Sequence, residues 1–159
     1  MKTLPKHFRP RWRYLAVGIE TWPDADLDRG AFQRHLWYAA QNLVGDVGSA
    51  DIDLSVLHFA HEGGAGEAVV RVRRDGVSRG RAVLACLDAV DGAPLGLRVR
   101  GVSGTVRACE EKYIRRGLEP QEESEVGFED APRRAFGRGR RLDVRVGDAF
   151  AGATELDFD

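Results

Sequence analysis

Only two cysteines, Cys86 and Cys109, occur in 159 residues, far apart and with no C-x-x-C spacing. That excludes a disulfide framework and a zinc knuckle, and leaves both as small buried hydrophobes by expectation. The four histidines, at positions 7, 35, 58 and 61, form no H-E-x-x-H pattern. His58 and His61 read as strand-end residues, and no metal site is expected. No run nears the roughly 18 to 20 consecutive apolar residues of a membrane span. The N-terminal MKTLPKHFRPRWRYLAV carries charge where a signal peptide needs an apolar stretch. A cytoplasmic protein without membrane contact is therefore expected. Lysine is scarce too: of 24 basic residues, 3 are Lys and 21 Arg, beside 14 Asp and 11 Glu, a usage that fits a GC-rich genome and a salt-adapted organism.

What is present is enough for one core. With 43% hydrophobic residues the chain can bury a single domain and is too short for a second full one. The net charge of −1 is unevenly spread: residues 1–117 hold 18 Lys+Arg against 14 Asp+Glu, and residues 118–159 hold 6 against 11. We expect a mildly basic domain over 1–117 with a basic N-terminal arm, followed by an acidic, largely disordered tail over 118–159 with at most a short strand at Leu142 to Val146.

The patterning orders the elements. Residues 1 to 13 carry Lys2, Lys6, Arg9, Arg11 and Arg13 with Pro5 and Pro10 and no acid, a basic non-helical arm. WRYLAVGIE reads as a strand. DADLDRGAFQRHLWYAAQNLVG places Phe32, Leu36, Ala39 or Ala40, and Leu43 at helical spacing, with acids in its first turn and Gly45 at its end. DIDLSVLHFAHE and GEAVVRVRR are strands joined by a GGAG hairpin turn. DGVSRGRAVLACLDAVDG follows as a helix closed by Asp91-Gly92, with Val83, Leu87 and Val90 on one side, and LGLRVRGV is a fourth strand. The order is β-α-β-β-α-β, an α+β ferredoxin-like (RRM-like) sandwich with an antiparallel sheet. TVRACEEKYIRRG adds a C-terminal helix ended by Gly117.

Period-two alternation then divides the sheet into two faces. If Leu15, Val17, Ala68, Val70, Val72, Leu97 and Val99 meet the helices, the opposite face shows Tyr14, Val69, Arg71, Arg73, Arg98 and Arg100. In a 4-1-3-2 strand order Arg98 and Arg100 lie on the edge strand beside Trp12 and Tyr14. Arginine forks grip phosphate and stack on bases, so the face suits RNA, with the arm following a backbone. Alternating Val and Arg is equally what a half-solvated strand looks like, and both readings stand. GEAVVRVRR lacks the glycine and stacking aromatics of an RRM signature.

The turn GVSGT, Gly101 to Thr105, fits no catalytic loop. A Walker A loop would need a lysine after Gly104, a nucleophile elbow would need glycine where Thr105 stands, and a KH loop joins two helices whereas this turn follows a strand. No catalytic residue is assigned. A strand-to-helix turn remains, with Ser103 or Thr105 capping the helix and a helix start that suits phosphate. Arg107 and Lys112 add charge nearby.

LPKHFRPRWRYLAV, with Pro10, Arg11, Arg13 and Tyr14, and GVSGTVRACEEKYI, with Gly101, Ser103, Gly104, Thr105, Cys109 and Lys112, together resemble the archaeal ribonuclease P protein component 2 family, whose eukaryotic relative belongs to nuclear RNase P and RNase MRP. The resemblance covers residues 1 to about 117. It implies a subunit of the ribonucleoprotein endonuclease that removes the 5′ leader of precursor tRNA. The RNA subunit would carry the magnesium ions and the chemistry, and the protein would bind no cofactor. The partners implied are the ribonuclease P RNA, precursor tRNA indirectly, ribonuclease P protein component 3 and the other RNase P proteins, with a homodimer inside a heterotetramer as an assembly it allows. The RNA-contacting residues would be Lys6, Arg9, Arg11, Arg13, Tyr14, Arg71, Arg73, Arg98, Arg100, Gly101, Ser103, Gly104, Thr105, Arg107 and Lys112. The rival is a protein-docking scaffold or an RNA-binding ferredoxin-like module outside RNase P.

Overall fold

A computed structural model describes residues 3–114, 122–138 and 141–153. The chain divides into two compact units, residues 1–118 and 119–159.

In the first unit, strand β1 (Trp12–Thr21) leads through a loop to helix α1 (Arg29–Ile52), strands β2 (Ser55–Glu62) and β3 (Ala65–Arg73), helix α2 (Val77–Cys86), a short strand β4 (Ala89–Val90), strand β5 (Ala93–Ser103) and helix α3 (Val106–Tyr113). The antiparallel sheet runs β2-β3-β1-β5-β4. Without the two-residue β4, this is the ferredoxin-like order the sequence predicts, with the two most apolar strands central. Leu15, Val17 and Ile19 of β1 and Ala68, Val70 and Val72 of β3 meet Phe32, Leu36 and Ala40 of α1 and Val83 and Leu84 of α2 in the main core.

Local chemistry explains the boundaries, and several differ from expectation. Asp28 is the N-cap of α1, its carboxylate accepting from the Ala31 amide at 2.8 Å, so the expected acids precede the helix and are not in its first turn. Gly45 does not end α1: it breaks the helical angles (φ 75, ψ 174), and a further helical segment runs on to Ile52. Leu43, expected in the core, is exposed. Asp91 and Gly92 do not close α2, which stops at Cys86; with φ of 49 and 80 they make the hairpin turn between β4 and β5. Gly63 and Gly64, with φ of 60 and 85, make the expected turn between β2 and β3. Cys109 is buried as expected, whereas Cys86 is exposed. The expected end of α3 at Gly117 lies outside the described residues; among those described the helix closes at Tyr113.

The second unit departs most from the sequence reading. Where a largely disordered tail is expected, strands β6 (Glu123–Phe128), β7 (Ala131–Arg138), β8 (Arg141–Val146) and β9 (Ala149–Ala153) form an antiparallel meander in sequence order. One face gathers Val126, Phe128, Ala135, Val144, Val146 and Ala151. The other pairs its charges, with Arg134 donating to Glu123 at 2.6 Å and Arg138 to Asp143 at 2.8 Å. Opposite charges directly across or diagonal on one sheet face are mutually stabilising, which is why so charged a segment holds strands. No helix among the described residues is long and apolar enough to cross a membrane.

Candidate nucleic-acid interface

The face of the first sheet turned away from α1 and α2 is not left open along its length. Helix α3 folds back over it, with Cys109 buried against Ala16 and Val69 and flanked by Tyr14, Tyr113 and Ile114. Thr105 caps α3, accepting from the Ala108 amide at 3.1 Å. The Cys109 thiol points at the Tyr14 carbonyl (3.7 Å), and burial pushes its pKa up, with Glu110 adding to the shift. At the other end of the helix the Tyr113 ring lies on Gly101, where a Cβ would come within 2.1 Å of Cζ. Gly101 is thus a close-approach glycine. Gly104 is not: it has no positive φ, and a Cβ there would meet nothing within 4 Å.

A bulge in β5 decides the fate of Arg100. Ala16 pairs with Gly101 and Val17 with Val99, so Arg100 is the extra residue. Its side chain crosses Gly18 to Glu67, donating from Nη1 to Oε2 at 2.7 Å and to the Tyr113 carbonyl at 3.4 Å. Arg100, proposed from sequence as a solvent-facing cation, is therefore engaged inside the fold. Arg98 is exposed and pairs with Gly18, on the far side of α3 from Arg71, which pairs with Tyr14. Four residues of strand separate the two, about 13 Å. The predicted continuous arginine face is split.

What stays together is the Trp12 end. Trp12 pairs with Arg73 across β1 and β3, and the guanidinium carbons of Arg71 and Arg73 sit 3.8 and 4.2 Å from its ring centroid. Asp53 is 3.9 Å from Arg73. The Arg74 amide donates to the Arg11 carbonyl at 2.9 Å, which fastens the basic arm to this end of the sheet. Along the arm Lys6 lies in one 3-10 turn (Lys6–Phe8), Arg9 donates from Nε to the Leu4 carbonyl at 2.7 Å, and Arg13 donates to the Trp12 carbonyl at 2.9 Å. Ser103 pairs with Tyr14 at the same end. Arg107 forms an exposed ion pair with Glu111 at 2.9 Å, and Lys112 approaches the Tyr113 ring at 5.3 Å. Trp12 and Arg74 are the members that sequence reasoning did not assign; the pairing of β1 with β3 that sets Trp12 opposite Arg73 joins strands distant in sequence and leaves no local signal. Among the described residues no three of His, Cys, Asp and Glu gather as a metal site.

A fold with a basic end and a basic arm fits many ligands, and family decides among them. The family model of the Rpp14/Pop5 family matches residues 13–114. The chain belongs to the Rpp14/Pop5 family. This is a family of ribonuclease P protein subunits. The chain is 64% identical over 158 residues to ribonuclease P protein component 2 of Natronomonas pharaonis, covering 99% of this chain and 98% of that one. It is 59% identical to that of Halorubrum lacusprofundi over the full length of both. Against the Methanosarcina acetivorans component the identity is 34% over 115 residues, 72% of this chain and 83% of that one. A chain in the cryo-EM structure of yeast ribonuclease MRP matches with a TM-score of 0.49 at 18% identity, covering 75% of this chain and 82% of that one. The family match spans the first sheet with its three helices and ends at Ile114, before the second unit of this Rpp14/Pop5 protein.

Proposed function

We propose that this protein works inside ribonuclease P as an RNA-binding subunit that supplies no chemical group of its own. In this reading the ribonuclease P RNA carries the magnesium ions and cleaves the 5′ leader of precursor tRNA. The protein, with ribonuclease P protein component 3 and the other protein subunits, supports that RNA. The observation that carries it is the Trp12 end of the sheet, where Arg71 and Arg73 converge on the Trp12 ring and the Arg74 amide ties Arg11 and the basic arm to the same end, with Asp53 3.9 Å from Arg73. Such an excess of cation, continued by Lys6 and Arg9 on the arm, is the footprint of a phosphate-backbone ligand. Arg98 and Arg100 are left out of the interface, the first for its distance and the second for its partner.

The test is affinity purification of the chain from its native cell, followed by sequencing of the RNA that stays bound. Recovery of the ribonuclease P RNA supports the reading, and a preparation with protein partners but no RNA rejects it. The protein-docking rival makes the opposite prediction for Arg73→Glu: it loses the protein complex, whereas in our reading only RNA retention weakens.

A further inference from the structure

The second and least expected feature of the Trp12 end is that its two central cations are poorly neutralised. Arg100, Arg107, Arg134, Arg138 and Arg145 each hold a carboxylate at 2.6 to 2.9 Å. Arg71 makes no ion pair among the described residues, and its Nε is buried without a hydrogen-bond partner. Arg73 has only Asp53 at 3.9 Å, beyond hydrogen-bond length. Two guanidinium groups nonetheless sit over one indole, at 3.8 and 4.2 Å from its centroid. Like charges this close repel, and the ring's negative face offsets part of that repulsion while fixing the guanidinium planes. A buried, bare donor nitrogen asks for an acceptor.

We infer that Trp12, Arg71 and Arg73 form a phosphate clamp for an RNA backbone: the indole holds the two guanidinium planes, and their N–H edges take the oxygens of a phosphodiester. This rests on the RNA-binding reading above and specifies its site. The indole does not touch the RNA; it is a positioning residue. The clamp suits a high-salt cytosol better than a scattered basic surface does. At molar ionic strength the screening length shrinks to about 3 Å, so exposed cations such as Arg98 contribute little and a preorganised, partly desolvated fork keeps its hold.

Arginine chemistry, as opposed to charge, is what the clamp requires, and that separates it from simple electrostatic attraction. The experiment measures binding of the full chain to a transcript of its ribonuclease P RNA in about 1 M potassium chloride, with folding of each variant checked by circular dichroism. The Arg71→Lys/Arg73→Lys double variant keeps the charge and is expected to bind about tenfold more weakly. Trp12→Leu is expected to weaken binding similarly and Trp12→Phe to restore part of it, while Arg98→Lys matches the parent. If the parent chain binds and the double lysine variant binds equally well, the clamp is refuted and the RNA-binding reading stands. If the parent chain does not bind the transcript, both fall. Should Trp12→Leu not fold, the lysine variants, which keep the Trp12 ring itself and the charge, decide alone.

Discussion

Arg100 and Glu67 form an ion pair at 2.7 Å, with the Glu67 side chain 4% exposed and the Arg100 side chain 21% exposed. The Arg100 guanidinium also reaches the Tyr113 carbonyl. A carboxylate taken this far from water needs its cation, because removing one partner of a buried pair leaves an uncompensated charge. Arg100→Ala is expected to lower unfolding stability by about 3 kcal/mol, read as a shift of the urea midpoint. Arg98→Ala, on the solvated side, should stay within about 0.5 kcal/mol of the parent. Equal effects for the two would contradict the different roles assigned to them.

The seat of α3 on the sheet depends on Gly101 and Tyr113. A methyl group at 101 collides with the Tyr113 ring, so Gly101→Ala is expected to cost about 1 to 3 kcal/mol as the helix end shifts. Gly104→Ala, with open space around it, should be near neutral. Because the penalty arises from one contact, Tyr113→Ala should relieve it: in a double-mutant cycle the double variant loses less than the two single losses together. Strict additivity would show that α3 is seated in another way.

These two contacts also mark where the sequence stops being informative. Alternation and helical spacing reveal the sheet order and the packing of α1 and α2, because a period of two or 3.6 is set by which side is buried. The bulge that turns Arg100 inward leaves no trace in an alternating Val-Arg run, since one extra residue changes the register and not the composition. In α3 the buried side rests on Cys109 and Tyr113, four apart on an otherwise charged helix, too thin a stripe to announce a helix folded over a sheet. The β6–β9 meander was hidden similarly: Glu129 and Asp130 make its first turn with φ of 52 and 60, where a hairpin signal would have a glycine. At the candidate site, Arg71 and Arg73 were legible from alternation, while their convergence on Trp12 needed the β1–β3 register.

His61 gives the first unit a pH dependence. The Thr21 hydroxyl donates to the Trp22 carbonyl at 3.0 Å and so accepts from His61 Nε2 at 2.8 Å. Burial lowers the His61 pKa from its ordinary 6.5, and Asp26 opposes this only in part. The unfolded chain therefore binds a proton that the folded chain does not between the two values, and stability rises with pH across that window. Stability should be full above about pH 6.5 and decline as the pH falls below it toward the folded value. His61→Gln, which keeps a donor for Thr21, should flatten that part of a melting-temperature profile; an unchanged slope would exclude His61 as its source.

The thiols should react at very different rates. Cys86 is exposed, while Cys109 lies beneath α3 with a raised pKa, and the thiolate is the reactive form. A chromogenic disulfide reagent should label Cys86 promptly in the native protein and Cys109 only on unfolding or when α3 lifts. Prompt reaction of both would mean that α3 does not cover the sheet in solution. Labelling of Gly101→Ala provides the internal comparison, since its displaced helix should expose Cys109.

The central claim is that this chain supports an RNA catalyst, and the most direct measurement is reconstituted cleavage of precursor tRNA by the ribonuclease P RNA with its other protein subunits, with and without this chain. The account predicts that adding the chain raises the rate of 5′-leader removal. An identical rate in its presence and absence, with every other subunit supplied, would contradict it.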